Sequence, residues 1–294
     1  MMKLLHQLPP YNLFGIEDQD YDSAKVVALP VPYDSTTSYK SGSRDGPHAI
    51  IDASRNLELY DEEYKKEITE IGVYTTDEMQ PSVNSPEETI NWIEKEAELI
   101  LDAKKMPLLI GGEHSIAVGS IRAVAKRNNE FSVIHFDAHS DYRDEYMGSR
   151  YSHACIMARS REVCKSCYSV GVRSIDIESA KRYSNDILYM KDMQNLPVNE
   201  IAGIIKKRTK QNVYITIDLD VLDNGEMPSV GTPEPNGMHF AQIDAVLKSI
   251  LAEKSLLGMD VCELAPIPGM IAPNFLAAKL IFRTLEHAFF QKKQ

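Results

Sequence analysis

Aspartate and histidine residues recur at alternating positions in the sequence. In an extended chain, side chains at i, i+2 and i+4 point the same way, so such spacing directs several polar groups to one place. The residues with this spacing are Asp137, His139 and Asp141 in one segment and Asp218 and Asp220 in a second, and a third segment, Gly-Gly-Glu-His-Ser, adds His114. Together they would bring four carboxylates and two imidazoles to one place.

This set of side chains has the chemistry of a metal centre. Four clustered carboxylates would repel one another and raise each other's pKa values, unless divalent cations neutralised them. Mixed carboxylate and imidazole ligands suit Mn²⁺, Fe²⁺ or Zn²⁺, and the oxygen-rich balance favours Mn²⁺. The absence of thiolates argues against a structural zinc site. Six ligands exceed the need of one ion, and shared carboxylates would hold two ions ~3.5–4 Å apart.

Asp-x-Asp spacing alone is also typical of a helix cap or a turn, and the Gly-Gly-Glu-His-Ser segment alone is typical of a tight turn. Their joint occurrence is harder to explain without a metal, because polar groups packed together at strand ends cost free energy unless they are paired or bind an ion. We therefore predict two Mn²⁺ ions per chain.

Short apolar runs alternate with longer amphipathic stretches and must position these residues. The runs are nearly continuous in Val, Ile and Leu, as in parallel strands buried on both faces. They occupy residues 25–29, 106–110, 131–136, 167–171, 213–217 and 256–259. Helices are predicted over about 85–104, 116–127, 177–183, 198–207, 240–253 and 273–291. The alternation predicts one α/β domain, residues 1–294, with a mainly parallel sheet.

The polar motifs follow four of the predicted strands. In an open α/β sheet, ligands bind beyond the carboxyl ends of the strands. His114 follows the second apolar run, Asp137 the third and Asp218 the fifth, and Glu263 comes four residues after the sixth. The predicted metal centre and Glu263 would therefore share one edge of the sheet.

Composition excludes several function classes. The 294 residues include 43 acidic and 32 basic ones and carry a net charge of −11, which disfavours nucleic-acid binding and would attract cationic ligands. The sequence contains no run of 18 apolar residues, so no membrane span is predicted. The first 13 residues do not resemble a signal peptide, and four cysteines are too few for a disulfide scaffold. We expect a cytoplasmic protein with reduced thiols, in which Cys164 and Cys167 lie in a helix-to-strand connection.

The motifs GGEHS (111–115), HFDAHSD (135–141), ITIDLDVLD (215–223) and GTPEP (231–235) resemble, in this order, those of the ureohydrolase family of arginases and agmatinases. The segments 32–39, 41–47 and 57–61 are most similar to agmatinase-like members. The resemblance covers nearly the whole chain. It implies a three-layer α/β/α sandwich and a homotrimer or homohexamer.

The resemblance also implies a ligand set for a di-manganese centre. One ion would take His114, Asp137, Asp141 and Asp218, and the other His139, Asp137, Asp218 and Asp220. Two departures from the family pattern lie beside these ligands. Glu113 stands where many members have Asp, and the segment 227–234 replaces the commoner APGTGTPE.

The implied reaction is hydrolysis of a guanidinium group to urea and an amine. Water activated between two metal ions would attack the guanidinium carbon. Asp141 would carry a proton to the leaving amine, and Glu263 would pair with guanidinium N–H groups. His153 resembles the proton-shuttling histidine of the family.

The substrate is less constrained by the sequence. Asp144 and Glu145, just after the metal motif, favour binding of a cationic tail, whereas Arg143 and Arg150 leave a carboxylate-bearing substrate open. We predict hydrolysis of agmatine to putrescine and urea, with aminopropylagmatine, guanidinobutyrate and arginine as alternatives. A metal-dependent deacetylase of the wider superfamily and a catalytically silent polyamine sensor are further alternatives, although the complete ligand set argues against both.

Overall fold

Within residues 8–291, the part of the chain that the structure describes, eight parallel strands form a central sheet. The structure is a computed structural model. The strand order is β4-β1-β5-β10-β9-β6-β7-β8, and the short hairpin β2–β3 lies apart. The strands are β1 (Val26–Val31), β2 (Tyr60–Asp61), β3 (Lys66–Glu67), β4 (Val73–Thr75), β5 (Met106–Gly111), β6 (Phe131–Phe136), β7 (Cys167–Val172), β8 (Ile187–Tyr189), β9 (Asn212–Asp218) and β10 (Ser255–Cys262).

Helices cover both faces of the sheet. They are α1 (Gly46–Ser54), α2 (Pro86–Asp102), α3 (Ala117–Arg127), α4 (Ile156–Val163), α5 (Ile177–Tyr183), α6 (Met190–Met193), α7 (Val198–Arg208), α8 (Phe240–Leu251) and α9 (Ala272–Phe289). Helices α2, α3 and α4 pack side by side on one face, and α1, α7, α8 and α9 form the opposite layer. On β6, Val133 packs in the apolar core under α2, α3 and α4, and its neighbour Ile134 packs in the core under the opposite layer. The predicted α/β/α sandwich with a parallel sheet is confirmed.

The six predicted strands and six predicted helices are all present. One boundary differs with consequence, because β10 continues to Cys262 rather than ending at residue 259. Asp260 therefore lies inside a strand. The single domain over residues 1–294 stays a prediction. The expectation that the first 13 residues are not a signal peptide also stays a prediction, because residues 1–7 lie outside the described residues.

The middle of the sheet positions the predicted site. Strands β5, β10, β9 and β6 are consecutive neighbours, so their carboxyl ends meet at one edge. After β5, the Gly112 N–H donates to the carbonyl of Val31 at 2.9 Å, and the Glu113 N–H donates to that of Tyr33 at 2.7 Å. A Cβ atom on Gly112 would lie 1.9 Å from the Tyr33 carbonyl oxygen, so only glycine fits this close approach. The loop after β1 is thereby fixed against the turn that carries His114.

The helices and the cysteine side chains bear on two expectations from the sequence, a chain without a membrane span and reduced thiols. Among residues 8–291, none of the helices has both the length and the apolar character that a membrane span requires. All four cysteines are free thiols. Cys164 ends α4 and Cys167 begins β7, which confirms their place in a helix-to-strand connection.

A buried ionic cluster ties α9 to α8 and to the β2–β3 hairpin. Arg283 pairs with Asp61, with Glu63 at 2.7 Å, with Asp244 at 3.2 Å and with Glu286 at 3.3 Å. Glu286 is fully buried, and its Oε1 atom has no hydrogen-bond partner among the described residues. Burial and the neighbouring charge of Asp61 raise the pKa of Glu286 to about 8. Its carboxyl is therefore mostly protonated in the folded protein at neutral pH.

This raised pKa makes the contribution of Glu286 to stability depend on pH. Because the folded state holds the Glu286 proton up to about pH 8, while the unfolded chain releases it near an ordinary glutamate pKa, stability falls as pH rises between those values. Glu286→Gln keeps the neutral shape at every pH. We expect it to raise Tm at pH 8 by roughly 2–4 °C for each kcal/mol regained, and to leave Tm near pH 4 almost unchanged.

Thermal unfolding of the variant and the wild type across this pH range provides the measurement. Glu63→Gln is the matched control, because it removes a partly exposed carboxylate from the same arginine and should give no gain that grows with pH. A Glu286→Gln protein less stable than the wild type at pH 8 would contradict the assignment of a protonated carboxyl.

Candidate metal centre and active site

The six side chains predicted as metal ligands come together at the carboxyl edge of the sheet. His114 opens a short 3-10 helix after β5, Asp137 directly follows β6, and Asp218 is the last residue of β9. His139 and Asp141 follow in the loop after β6, and Asp220 lies in a 3-10 turn after β9. All except His139, which is partly exposed, are buried.

Two groups of donor atoms share the carboxylate of Asp137. The atoms in each group lie within 4.8 Å of one another and could hold a metal ion; the groups are His114, His135, Asp137 and Asp141, and Asp137, His139 and Asp220. The His114 Nδ1 atom lies 3.1 Å from Asp137 Oδ2 and 3.3 Å from Asp218 Oδ2. On the other side, His139 Nδ1 lies 2.8 Å from Asp220 Oδ2. The position of Asp137 between two donor groups is what a bridging carboxylate requires.

The sequence interpretation omitted His135. Its Nε2 atom lies 2.8 Å from Asp137 Oδ2, and its Nδ1 atom lies 3.0 Å from Ser169 Oγ. A signal was present, because His135 stands two residues before Asp137 and so faces the same way in β6. In the sequence, however, His135 lies within an apolar run of residues.

Hydrogen bonds orient the ring of His114. Its Nε2 atom lies 2.7 Å from the hydroxyl of Thr216, which donates to Asp260 at 2.7 Å. Tyr214 donates a second hydrogen bond to Asp260 at 2.8 Å. All of these side chains are fully buried. The network directs Nδ1 of His114 towards the aspartates, as the outer hydrogen bonds of metal-binding histidines do.

The cluster carries an excess of buried negative charge. Burial and the Asp137 charge raise the pKa of Asp141 well above its usual range, and burial with Asp220 and Asp137 does the same for Asp218. Although burial opposes it, the acidic neighbours raise the pKa values of His114 and His139. These shifts have one origin, which is negative charge concentrated away from water. Divalent cations would neutralise it, so the residues present fit a metal centre.

The backbone is strained at two site residues. Asp141 has φ of 51° and Glu263 has φ of 71°, in the left-handed region that non-glycine residues rarely adopt. Such conformations cost about 1–3 kcal/mol each and persist where the surrounding structure fixes them. Glu263 is held by the His114 N–H, which donates to its Oε1 at 2.7 Å, and by its own N–H, which donates to the Gly112 carbonyl at 2.8 Å.

A cavity of about 300 Å³ opens beside the cluster. Its walls include His139, Asp141, Asp218, His153 and Glu263. Ser38, Arg143, Tyr146, Asp176 and Thr232 complete much of the remaining wall. The cavity therefore brings the three residues predicted to act on the substrate, Asp141, His153 and Glu263, next to the candidate metal ligands.

Glu263 and His153 have shifted pKa values for the same reason. Burial and the charges of Asp218 and Glu113 raise the pKa of Glu263 well above its usual range. Burial lowers the pKa of His153 to about 4. His153 is thus a neutral imidazole at pH 7.

The structure does not place Asp144 and Glu145 in the cavity wall, contrary to the expectation that they receive a cationic tail. Asp144 points outward, with 74% of its side chain exposed, and pairs with Arg159 and with Arg150 at 3.3 Å. Two cations already neutralise it. Besides Glu263, the cavity wall contains an acidic residue that the sequence interpretation missed, Asp176.

The atypical segment 227–234 packs against the loop that follows Glu263. The Ala265 N–H donates to the carbonyl of Ser229 at 2.8 Å, and Ser229 is buried. Thr232, further along, reaches the cavity wall. The departure from the family pattern therefore lies close to the site.

Comparisons with known proteins agree with this geometry. Residues 24–286 match the model of the arginase family. The chain is 36% identical to the N(1)-aminopropylagmatine ureohydrolase of Thermus thermophilus, with 93% of each chain covered. It is 34% identical to the enzyme of that name from Synechocystis, over 90% of this chain and 89% of the relative. The solved agmatine ureohydrolase of Thermoplasma volcanium superposes with a TM-score of 0.85 at 29% identity, covering 92% of each chain.

The family match covers most of the chain, and both relatives exceed 30% identity over nearly their whole lengths. The sheet, the cluster of histidine and aspartate residues and the adjoining cavity are those expected from the sequence motifs. The chain therefore belongs to the arginase family and is an agmatinase-like ureohydrolase, a hydrolase of guanidino compounds.

Proposed function

We propose that this protein is a two-manganese ureohydrolase that cleaves agmatine to putrescine and urea. The observation that carries the proposal is the sharing of Asp137 between two groups of donor atoms, beside a cavity that Glu263 lines. One buried carboxylate between two clusters suits a pair of ions better than a single ion.

The donor set supports an assignment of ligands. One ion would be held by His114, Asp137, Asp141 and Asp218, and the other by His139, Asp137, Asp218 and Asp220. The oxygen-rich balance of this set favours Mn²⁺ over softer metals. His135, hydrogen-bonded to Asp137, would orient that bridging carboxylate.

When bound, a divalent metal pair supplies a water nucleophile that is deprotonated near neutral pH. The side chains of this protein would do the rest. Glu263 would hold the planar guanidinium against the cluster through paired N–H···O bonds. As the carbon–nitrogen bond to the side chain of the substrate breaks, Asp141 and His153 would move a proton to the departing amine nitrogen.

The wall of the cavity supports a cationic tail. Asp176 lines the cavity, and it also caps α5 by accepting hydrogen bonds from the N–H groups of Glu178 and Ser179. Its carboxylate could receive an ammonium group at the far end of agmatine. Arg143 lies on the same wall, so a carboxylate-bearing substrate has a possible partner too.

Aminopropylagmatine is the second candidate substrate. Both relatives described above, at 34% and 36% identity, bear the name of an enzyme that hydrolyses it. It shares the guanidinium and the first amine of agmatine and extends beyond them. The cytoplasmic location and the trimeric or hexameric assembly remain part of the proposal.

The metal assignment predicts a stoichiometry. Protein loaded with Mn²⁺ and desalted should retain about two ions per chain by elemental analysis. Asp137→Ala should lose both, since one carboxylate would serve both sites. Asp144→Ala, which removes an exposed aspartate outside the cavity, should retain two. One tightly held ion that survives Asp137→Ala would contradict a binuclear centre.

The role of Glu263 predicts a loss of activity without a loss of metal. Glu263→Gln preserves the shape but removes the charge opposite the guanidinium. Unpairing a buried charge costs about 3–5 kcal/mol, so kcat/KM should fall roughly 10²–10⁴-fold. The Mn²⁺ content should stay at the wild-type value. Glu145→Gln, on the loop outside the cavity wall, should leave kcat/KM unchanged. Near-normal activity of Glu263→Gln would remove Glu263 from the substrate site.

The substrate assignment predicts a ranking, and a urea-release assay with Mn²⁺ tests the whole proposal. The panel is agmatine, aminopropylagmatine, guanidinobutyrate and arginine. Agmatine should exceed arginine by ~10³-fold in kcat/KM, because the arginine carboxylate would be buried beside Asp176. Asp176→Asn should narrow that gap.

Two other results would change the proposal. Faster hydrolysis of aminopropylagmatine than of agmatine would make the longer compound the substrate. A value for arginine at or above that for agmatine would mean that Arg143 binds the carboxylate, and the assignment of a cationic tail would be wrong.

A further inference from the structure

Thr36 connects a buried carboxylate to the imidazole that faces the substrate cavity. It lies in the loop that follows β1, between Glu113 and His153. Glu113 is fully buried beside the turn that carries His114, and His153 lines the cavity. Glu113 was noted in the sequence only as a departure from the aspartate that many family members have.

The hydrogen bonds around Glu113 all run towards its oxygens. The Thr36 N–H donates to Oε2 at 2.6 Å, and the hydroxyls of Thr36 and Ser115 both donate to Oε1 at 2.6 Å. Among the described residues, the hydrogen bonds of Glu113 use both of its oxygens as acceptors, and a carboxyl oxygen is an acceptor in this role. The single hydroxyl hydrogen of Thr36 is therefore committed to Glu113.

With its hydrogen committed, the Thr36 oxygen can only accept hydrogen bonds from His153. It accepts the His153 backbone N–H at 3.0 Å, and it lies 3.3 Å from Nδ1 of the ring. An acceptor at Nδ1 favours the neutral tautomer that carries its proton on Nδ1. The Nε2 atom then keeps its lone pair, 3.4 Å from the hydroxyl of Ser38 in the cavity wall.

Among residues 8–291, one other hydroxyl group lies near Nδ1. The hydroxyl of Ser152 lies 3.4 Å from it and also accepts the Ala154 N–H, at 3.4 Å. This hydroxyl can rotate to accept or to donate, so it does not oppose the tautomer that Thr36 selects. The carboxyl group of Glu113 therefore determines which atoms donate and which accept in the hydrogen bonds from Thr36 to His153.

We propose that Glu113 and Thr36 are positioning residues that hold His153 as the Nδ1–H tautomer and present Nε2 to the substrate. The inference rests on the proposed role of His153 in the ureohydrolase reaction. In that role, Nε2 accepts the proton that Asp141 takes from the attacking water, the ring becomes doubly protonated, and the same proton then passes from Nε2 to the leaving amine nitrogen. The ring returns to the Nδ1–H form, so protons balance over the cycle.

The direct test is the tautomer of His153 in the full-length protein. Protein labelled with ¹⁵N in its histidines and loaded with diamagnetic Zn²⁺ gives two-bond ¹H–¹⁵N correlations that distinguish a protonated from an unprotonated ring nitrogen. Loss of one pattern in His153→Ala assigns the signal. We expect a protonated Nδ1 in the wild type and in Thr36→Ser, which keeps the hydroxyl. In Thr36→Val and Glu113→Gln we expect a tautomer mixture or the Nε2–H form.

Kinetics with Mn²⁺ provide the second readout. Thr36→Val should lower kcat roughly tenfold or more while KM and bound Mn²⁺ stay near the wild-type values, because a misplaced proton acts on the transition state. Thr36→Ser should restore most of kcat. His153→Ala should cost little more in the Thr36→Val background, since residues that act as one unit are not additive.

Two results would overturn the inference. One is an Nε2–H tautomer in the wild type, and the other is a tautomer and a kcat that do not change in Thr36→Val. If the wild type hydrolysed no guanidino compound, the proposed function would fail, whereas the tautomer measurement would still decide the positioning role of Thr36 and Glu113.

Discussion

Buried negative charge at the carboxyl ends of four neighbouring strands is the constraint on which the rest of the site depends. Asp137, Asp141 and Asp218 lie within a few ångströms of His114, almost entirely out of water. Like charges so placed cannot all ionise unless a cation joins them, and the raised pKa values of Asp141 and Asp218 reflect this conflict. The fold keeps the carboxylates together because they follow or end neighbouring strands, and the pairing of these strands in the sheet fixes their positions.

A surrounding set of hydrogen bonds fixes the direction of each ring and carboxylate. Thr216 and Asp260 orient His114, and the His114 N–H in turn anchors Glu263. Thr36 and Glu113 do the same for His153. The centre and the substrate groups are therefore linked through one short turn after β5, and its glycine, Gly112, allows the close approach to the loop after β1.

Local sequence predicts those features of the fold that depend on the spacing of apolar and polar residues along the chain. The strands of the sheet centre are long enough to show as apolar runs. Helix α2 begins at the position that the sequence predicts, where the Ser85 hydroxyl accepts the Glu88 N–H at 3.2 Å. The edge strands β4 and β8 have three residues each, too few for a periodic pattern. The i, i+2 spacing predicts that the aspartate side chains lie together, as they do in the structure. His135 has the same spacing relative to Asp137, but its apolar neighbours made it look like part of a buried strand.

The features that the sequence does not reveal are contacts between distant residues. Asp144 stands close to the metal motif in the chain, yet its exposed carboxylate pairs with Arg159, fifteen residues later, outside the cavity wall. Asp176, which lines the cavity, is separated from the motif by α4 and β7. Thr36 reaches Glu113 across 77 positions. No local pattern in the sequence records such pairings, because they arise from the order of the strands in the sheet.

The most direct test of the central claim is anomalous diffraction, at the manganese absorption edge, from crystals of the protein grown with Mn²⁺. The account predicts two anomalous peaks per chain, about 3.5–4 Å apart, on either side of the Asp137 carboxylate. One ion would lie towards His114 and the other towards His139. A single peak at this edge of the sheet, or two peaks that do not share Asp137, would contradict it.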